Sequence, residues 1–358
     1  MTIKEFAQRL EVSTATVSRA FTPGARILPE TRTLVLEQAR LLGYAPNPSA
    51  RNLARRHNHL IGLNCPGNSD MLADQYLIEL ARGVQNALLE ESYGLLLNTL
   101  PRPDGDMELL HEWVYGHAVD GVVIVVPVDY PLETFCPFVS QDVPCVLIKQ
   151  AREDGDCMLP AVEIDVAAGA RAALMHLVRL GHREIGLITS SPSDAVRAIY
   201  QDVYTGVAGD APVEDAGLVV ETPSTIANGR TAMHRLLAAP VRPSAVFCRT
   251  DLLALGALRA ARDMGLRVPE DLSIIGHDDL VLVELSDPPL TTVRVDTARI
   301  GREATRLLLD AMSRRKSDAG KMTGGVAVDP TSGRIPTVTV KSELIVREST
   351  ARPPLGPG

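Results

Sequence analysis

Aromatic residues are scarce in this chain of 358 residues: they make up 4% of it, with a single tryptophan. Long apolar runs are absent, and none approaches the ~20 residues that a membrane-spanning helix needs. The five cysteines, Cys65, Cys136, Cys145, Cys157 and Cys248, form no C-x-x-C pair and have no histidine beside them at ligand spacing. Neither a disulfide framework nor a metal site is expected, and buried reduced thiols are the natural reading. The chain lacks a G-x-x-x-x-G-K-[ST] phosphate loop, a G-x-S-x-G elbow, an H-E-x-x-H pair and a dinucleotide fingerprint after "LIGLNCPGNSD". No cofactor is called for and no enzyme is expected. Adjacent acids such as Asp278 and Asp279 suit a loop cap or a ligand contact better than catalysis. The start "MTIKEFAQRL" carries charge throughout and has no apolar signal core, so a cytoplasmic protein is expected.

What is present describes an ordinary globular protein, 45% hydrophobic and 22% charged, long enough for two or three domains. Its charge is unevenly spread. Residues 1–57 hold nine Lys or Arg against four acids, a net of +5, within a chain whose net charge is −8. A basic head on an acidic body is the footprint of a head that meets a polyanion, although a small domain can also be basic for no such reason.

The head reads as three short helices. Thr2 and Glu5 stand at capping-box spacing, with Ile3, Phe6, Ala7 and Leu10 on one face of the first helix. After Glu11, Ser13 caps a second helix, with Val12 and Val17 at hydrophobic-staple spacing. Val17, Ala20 and Phe21 point inward, leaving Thr14, Ala15, Thr16, Ser18 and Arg19 outward. Small side chains let a helix lie deep in a major groove, hydroxyls reach phosphates or base edges, and an arginine can fork onto guanine. Taken alone, the same ten residues also suit a solvated polar face. Pro29 opens a third helix with Val35, Ala39 and Leu42 as its inward stripe and Gly43 at its end. In "YAPNPSARNLARRHNHLIG", Asn47 and Pro48 can start a helix of about eight residues, too short to stand alone. Leu53 has no apolar neighbour there, as befits a wedge between base pairs in a minor groove; without a partner the segment is a flexible linker.

From His59 onward, short apolar strands ("LIGLNC", "YGLLLNT", "DGVVIVV", "PCVLIK") alternate with amphipathic helices, and the pattern resumes after residue 160 with "AVEID", "EIGLITS", "SAVFCRT" and "LSIIGHDD". Such alternation predicts two α/β lobes built on doubly wound parallel sheets, with a ligand cleft beyond the carboxyl ends of the strands.

The ordered series "TIKEFAQRLEVSTATVSRAF", "LGYAPNPSARNLARR", "HLIGL", "GHREIGLI", "SAVFCRTDLLALGALRAARDMGLRVPEDLSIIGHDD", "PPLTTVRVD" and "VREST" resembles the lactose repressor (LacI/GalR) family of bacterial regulators along nearly the whole chain. The resemblance implies a helix-turn-helix DNA-binding domain over 1–46, a hinge helix over 47–58 and a two-lobed, periplasmic-binding-protein-like body over 59–349. The lobes would interleave, lobe 1 taking about 59–161 and 291–322, lobe 2 about 162–290 and 323–349. The helix "TARIGREATRLLLDAM" then belongs to the first lobe and the strand "TVTVKSELIVRE" to the second. Residues 350–358 are expected to be a disordered tail, and "SRRKSDAGKMTGGVAVDPTSGRIP" (313–336) an exposed loop longer than the family carries. By the resemblance, Thr14, Ala15 and Arg19 read operator bases, Leu53 opens the central step with Ala54 beside it, and Thr2, Ser13, Thr16, Ser18, Arg26, Asn47, Ser49 and Arg51 complete the DNA contacts. Leu28 stands where the family prefers a small capping residue.

In the cleft, the resemblance places Tyr76 and Leu77 as walls and Lys149, Arg197, Thr250 and Asp278 as polar contacts. Lys149 replaces the family's usual aspartate and Thr250 its asparagine, with Arg249 alongside. Converging cations suit a carboxylate or phosphate on the ligand, so a sugar acid or similar anion is one expectation; the other is that these cations pair with acids at the rim. The implied protein is a homodimeric repressor, with a tetramer left open, that binds a near-palindromic operator and answers to a small effector, a sugar or sugar acid. A carbohydrate-binding protein without DNA regulation is the alternative, and the basic helical head argues against it.

Overall fold

The computed structural model describes residues 1–22, 24–45, 57–66, 75–100, 108–128, 130–139, 143–151, 159–190, 195–208, 217–317 and 335–354. The chain divides into two compact units, Met1–His59 and Leu60–Gly358.

The head contains α1 (Ile3–Arg9), α2 (Thr14–Ala20) and α3 (Pro29–Leu41). Thr2 and Glu5 form the full capping box, and the Ser13 hydroxyl accepts from the Thr16 amide at 3.0 Å. Phe6, Ala7, Val17, Ala20, Val35, Ala39 and Tyr44 make the core. Two of the expected inward residues are not inside, since Ile3 is 37% and Leu42 38% exposed. The reason for Leu42 is the way α3 ends. Gly43 takes a φ of +61°, the Tyr44 amide bonds back to the Ala39 carbonyl at 2.8 Å, and the chain reverses. Tyr44 thereby stacks on Phe6 with ring centroids 4.1 Å apart, filling the place that helical spacing assigns to Leu42. The turn between α1 and α2 is built alike, with the Val12 amide on the Ala7 carbonyl at 3.0 Å, but its left-handed position is held by Glu11 at a φ of +53°.

The body holds two six-stranded sheets. The first has the order β11–β5–β4–β3–β1–β2, from β1 (Leu60–Pro66), β2 (Gly94–Leu100), β3 (Gly121–Val125), β4 (Cys145–Gln150), β5 (Ala161–Asp165) and β11 (Thr337–Lys341). The second has the order β12–β10–β9–β8–β6–β7, from β6 (Ile185–Thr189), β7 (Val219–Glu221), β8 (Ala245–Cys248), β9 (Ser273–Asp278), β10 (Thr291–Arg294) and β12 (Glu343–Ile345). Every pairing is parallel except that of β12 with β10. Continuous apolar strands such as "GVVIV" and "IGLIT" suit this because helices cover both faces.

The helices are α4 (Gln75–Glu90), α5 (Glu108–Tyr115), α6 (Val166–Leu180), α7 (Ala195–Ala208), α8 (Ile226–Leu237), α9 (Asp251–Asp263) and α10 (Thr297–Ser317). Glycines set the closest helix pair of each sheet. A side chain at Gly83 of α4 would collide with the Ala298 carbonyl of α10, and one at Gly229 of α8 with the backbone of Leu253 in α9.

The crossings between sheets lie later than expected. Strand β5 belongs to the first sheet, so the first crossing follows Asp165 rather than 161; β10 belongs to the second, which moves the next from 291 to the residues after Arg294. The strand assigned whole to the second lobe is divided at Ser342. Its first half, β11, extends the first sheet beside β5, and only β12 joins the second. Ser342 bonds the Asp165 carbonyl at 2.5 Å, tying two crossings together. Helix α10 packs with the first sheet as expected, but runs on through Ser317, so the start of the 313–336 segment is helical, as its arginines and lysine allow. Residues 318–334 lie outside the described residues.

The expected disordered tail is anchored at its start. Ser349 is fully buried and bonds the Ile274 carbonyl at 2.6 Å, while Thr350 meets His176 at 3.1 Å. His182 holds the Ala351 carbonyl with Nε2 at 2.9 Å and faces the Ser244 hydroxyl with Nδ1 at 2.9 Å. A carbonyl only accepts, so Nε2 carries the proton and Nδ1 accepts from Ser244. Burial pushes the pKa of both His182 and His176 down. These rings stay neutral in the folded protein at a pH where the unfolded chain protonates them, so stability is lost as pH falls below the ordinary histidine value. The melting temperature of the protein will fall from about pH 7.5 to about pH 5.5, and His182→Gln, followed by calorimetry, will lower it at the higher pH while flattening the dependence. An unchanged slope in the variant would place the titration elsewhere.

Candidate functional site

Helix α2 is short, and its position depends on both its ends. At the start, Ser13 caps Thr16 and lies 2.9 Å from its hydroxyl. At the end, Arg32 of α3 donates to the carbonyls of Ala20, Thr22 and Ala25 at 3.2, 3.1 and 3.0 Å. Three carbonyls without a helical partner are met by one cation, which also opposes the negative end of the helix dipole. Arg32 was not among the expected functional residues; its only signal was an arginine one turn into α3.

With α2 held this way, Thr14, Ala15, Ser18 and Arg19 are exposed and Thr16 half-exposed, while Val17 and Ala20 are buried. Arg26 is exposed on the loop that follows. The hydroxyls of Thr2 and Ser13 serve as helix caps. Asn47, Ser49, Arg51, Leu53 and Ala54 fall outside the described residues. The face presented is small, hydroxylic and positive, the chemistry a major groove accepts.

In the body the candidate polar residues sit at or just beyond the carboxyl ends of strands. Lys149 in β4 lies opposite Glu163 in β5, with Nζ and Oε1 2.7 Å apart and the lysine side chain only 10% exposed. Arg197 on α7 pairs with Glu221 at the end of β7. Arg249, after β8, approaches His277 Nδ1 at 3.4 Å, and the same nitrogen lies 3.1 Å from the carboxylate of Asp278. Thr250 caps α9, accepting from the Leu253 amide at 3.3 Å, and its hydroxyl is 2.5 Å from that of Ser224. Tyr76 is half-buried at the start of α4, and Leu77 beside it is in the core of the first sheet. Of the two expectations for these cations, pairing with acids describes Lys149 and Arg197, whose partners are Glu163 and Glu221, while Arg249 has a histidine at hand. Strand register supplies the partner, placing Glu163 directly across from Lys149.

Asp278 and Asp279 hold the left-handed backbone angles of +114° and +59°. Beneath them Asp251 is fully buried, accepting from the Leu280 amide at 2.7 Å and the Thr292 hydroxyl at 2.6 Å. Burial, with Asp278 close by, raises its pKa well above the usual carboxylate range. Asp279 receives Arg294 at 2.6 Å and Arg347 at 2.7 Å. Glu163, Glu221, His277 and Asp251 were not expected at the site from spacing alone. Among the described residues no cluster of His, Cys, Asp or Glu could hold a metal ion, and no helix is long and apolar enough to cross a membrane.

Comparison with known proteins agrees with this geometry. Residues 2–47 match the bacterial regulatory proteins, lacI family, and residues 174–350 the periplasmic binding protein-like domain. The HTH-type transcriptional repressor CytR of Escherichia coli K12 is 32% identical over 324 residues, 89% of this chain and 92% of its own. A solved complex of the transcriptional regulator CelR with cellobiose superposes with a TM-score of 0.67 at 29% identity, covering 98% and 99% of the two chains. The Lac repressor dimer bound to operator and the anti-inducer ONPF shares the fold with a TM-score of 0.79 at 22% identity, over 98% and 99%.

The bonds made by Arg32 predict how α2 will respond to their loss. In Arg32→Ala, amide exchange across α2 will quicken and the head will lose about 1–3 kcal/mol, read by hydrogen exchange and mass spectrometry of the full-length protein. Exchange equal to wild type in α2 would show that Ser13 and the core hold the helix without Arg32.

Proposed function

The chain belongs to the lacI family of bacterial regulatory proteins, and from that membership we propose how its own residues carry out sequence-specific transcriptional regulation. The exposed face of α2 is the reading surface, with Thr14, Ala15 and Arg19 on base edges and with Thr2, Ser13, Thr16, Ser18 and Arg26 toward the phosphates. The observation that supports this is the clamp on α2: Ser13 and Arg32 fix its ends while Val17 and Ala20 face the core and Thr14, Ala15, Ser18 and Arg19 face outward. A homodimer presents two such helices to the half-sites of a near-palindromic operator. Between them the segment around Asn47, Ser49, Arg51, Leu53 and Ala54 enters the minor groove, Leu53 as the wedge.

The body senses a small effector at the carboxyl ends of the two sheets, contacted by Tyr76, Lys149, Arg197, Arg249, Thr250 and Asp278. CytR is named a repressor, and CelR was solved with cellobiose. By that likeness the present chain is a repressor whose effector is a carbohydrate or similarly hydroxylated compound, acting in the cytoplasm where its operator is. Effector and operator then bind in linked fashion, each altering the affinity of the other by the same factor.

Selection of the full-length protein against random duplex DNA at a stated salt concentration will enrich a near-palindrome. Arg19→Ala will bind that operator more weakly by about 1–3 kcal/mol and lose preference at one base pair in each half-site, while its effector binding stays intact. Failure of the folded dimer to enrich any sequence, with and without candidate effectors, would overturn the reading of α2.

A further inference from the structure

We propose that Arg314 and Arg315, at the end of α10, hold phosphates of the operator, so that the body binds DNA as well as the head. This rests on the DNA-binding reading above and adds a second contact to it.

The chain enters the body at Leu60, the first residue of β1. With Leu53 and Ala54 in the minor groove, only six residues lead from Ala54 to Leu60, and six residues span at most about 20 Å. The amino end of the first sheet is therefore tied close to the duplex. Strand register carries that closeness sideways. Gly62 pairs with Val122 and Val122 with Cys145, so β4 begins level with the start of β1, two strands or about 10 Å away.

Helix α10 delivers its last turns to this place. A side chain at Gly121, where β3 begins, would come within 3.0 Å of Leu308, and from Leu308 the helix runs on to Ser317, about 13 Å further. Ala311 and Met312 are still buried, whereas Ser313 and Arg314 are exposed and Arg315 is half-exposed. Arg315 stands near the start of β4: burial raises the pKa of the Cys145 thiol there, and Arg315 opposes the rise.

The charge at this end of the sheet is divided by sign. Residues 58–358 carry 27 Lys or Arg against 40 acids, yet Arg314, Arg315 and Lys316 follow one another. A helix end favours a cation through its dipole, but that attraction is spent within one turn and does not call for three in a row. On the β2 side the sign is opposite. Glu90 and Glu91 are exposed, and Asp120 and Glu91 add to the rise that burial gives the pKa of Tyr93. A duplex carries one negative charge per ~1.7 Å of its axis, so it is drawn to the β4 side and kept from the β2 side. Phosphate contacts of this kind fix orientation and affinity without reading sequence.

The test compares the full-length wild type with Arg314→Gln/Arg315→Gln and with Arg314→Lys/Arg315→Lys. Arg299→Gln/Arg302→Gln removes equal charge from exposed positions of the same helix and serves as the control. Each protein is titrated by fluorescence anisotropy against the operator that the wild type selects, over a series of potassium chloride concentrations. The Arg314→Gln/Arg315→Gln variant will keep its melting temperature and its selected sequence. It will bind about tenfold or more weakly at low salt, and its slope of log K against log salt will shrink by about 2–4 for the dimer, because each neutralised phosphate contributes about 0.9. The lysine pair keeps two point charges and will stay near the wild-type slope, as will the control. Equal slopes for the wild type and the Arg314→Gln/Arg315→Gln variant overturn the proposal. An equal loss in the control does so too, since it marks an effect of net charge alone. A wild type that selects no operator overturns the regulator reading itself, and this contact with it.

Discussion

The carboxyl end of the second sheet depends on one buried carboxylate. Asp251 begins α9, yet its two oxygens are spent elsewhere, one on the backbone of Leu280 and one on the hydroxyl of Thr292. It therefore joins the helix after β8, the turn after β9 and strand β10 at a single point. Gly276 makes this possible, because any side chain there would occupy the space of the Asp251 carboxylate. The left-handed pair Asp278 and Asp279 follows two residues later, and such backbone is held only where its surroundings over-determine it. Asp251 from below, and Arg294 and Arg347 on Asp279, are those surroundings. Asp278 reaches His277 because this corner is fixed.

Features governed by residues three or four apart were legible in the sequence. The capping box of Thr2 and Glu5, the Ser13 cap, Pro29 at the start of α3 and the outward face of α2 all rest on helical spacing, and all stand as read. Tyr44 was missed because a helix ending in a left-handed glycine folds the following residue back, which spacing along the helix does not describe. The sheet crossings were displaced because an apolar strand looks the same in either sheet. "TVTVK" and "ELI" differ in sheet only through the bend at Ser342.

The candidate cleft was legible in its cations and not in their partners. Lys149 and Thr250, with Arg249 alongside, stand out as departures from a family pattern and Arg197 is carried over from it, whereas Glu163 is one acid among many until strand register sets it across from Lys149. The same holds for Arg32, whose partners are three backbone carbonyls and carry no side-chain signature. Where a long-range partner decides what a charged residue does, a list of charges along the chain describes only half of each interaction.

The three passages of the chain between sheets have a consequence for how the body forms. No continuous stretch of sequence contains either sheet whole: β11 completes the first sheet from a point well over one hundred residues beyond β5, and β12 closes the second after α10 has returned to the first. Contacts so distant in sequence can be made only after long loops have closed, which makes assembly slow. A nascent chain must therefore keep apolar strand edges waiting until its last residues emerge, and neither lobe can be produced as a simple truncation.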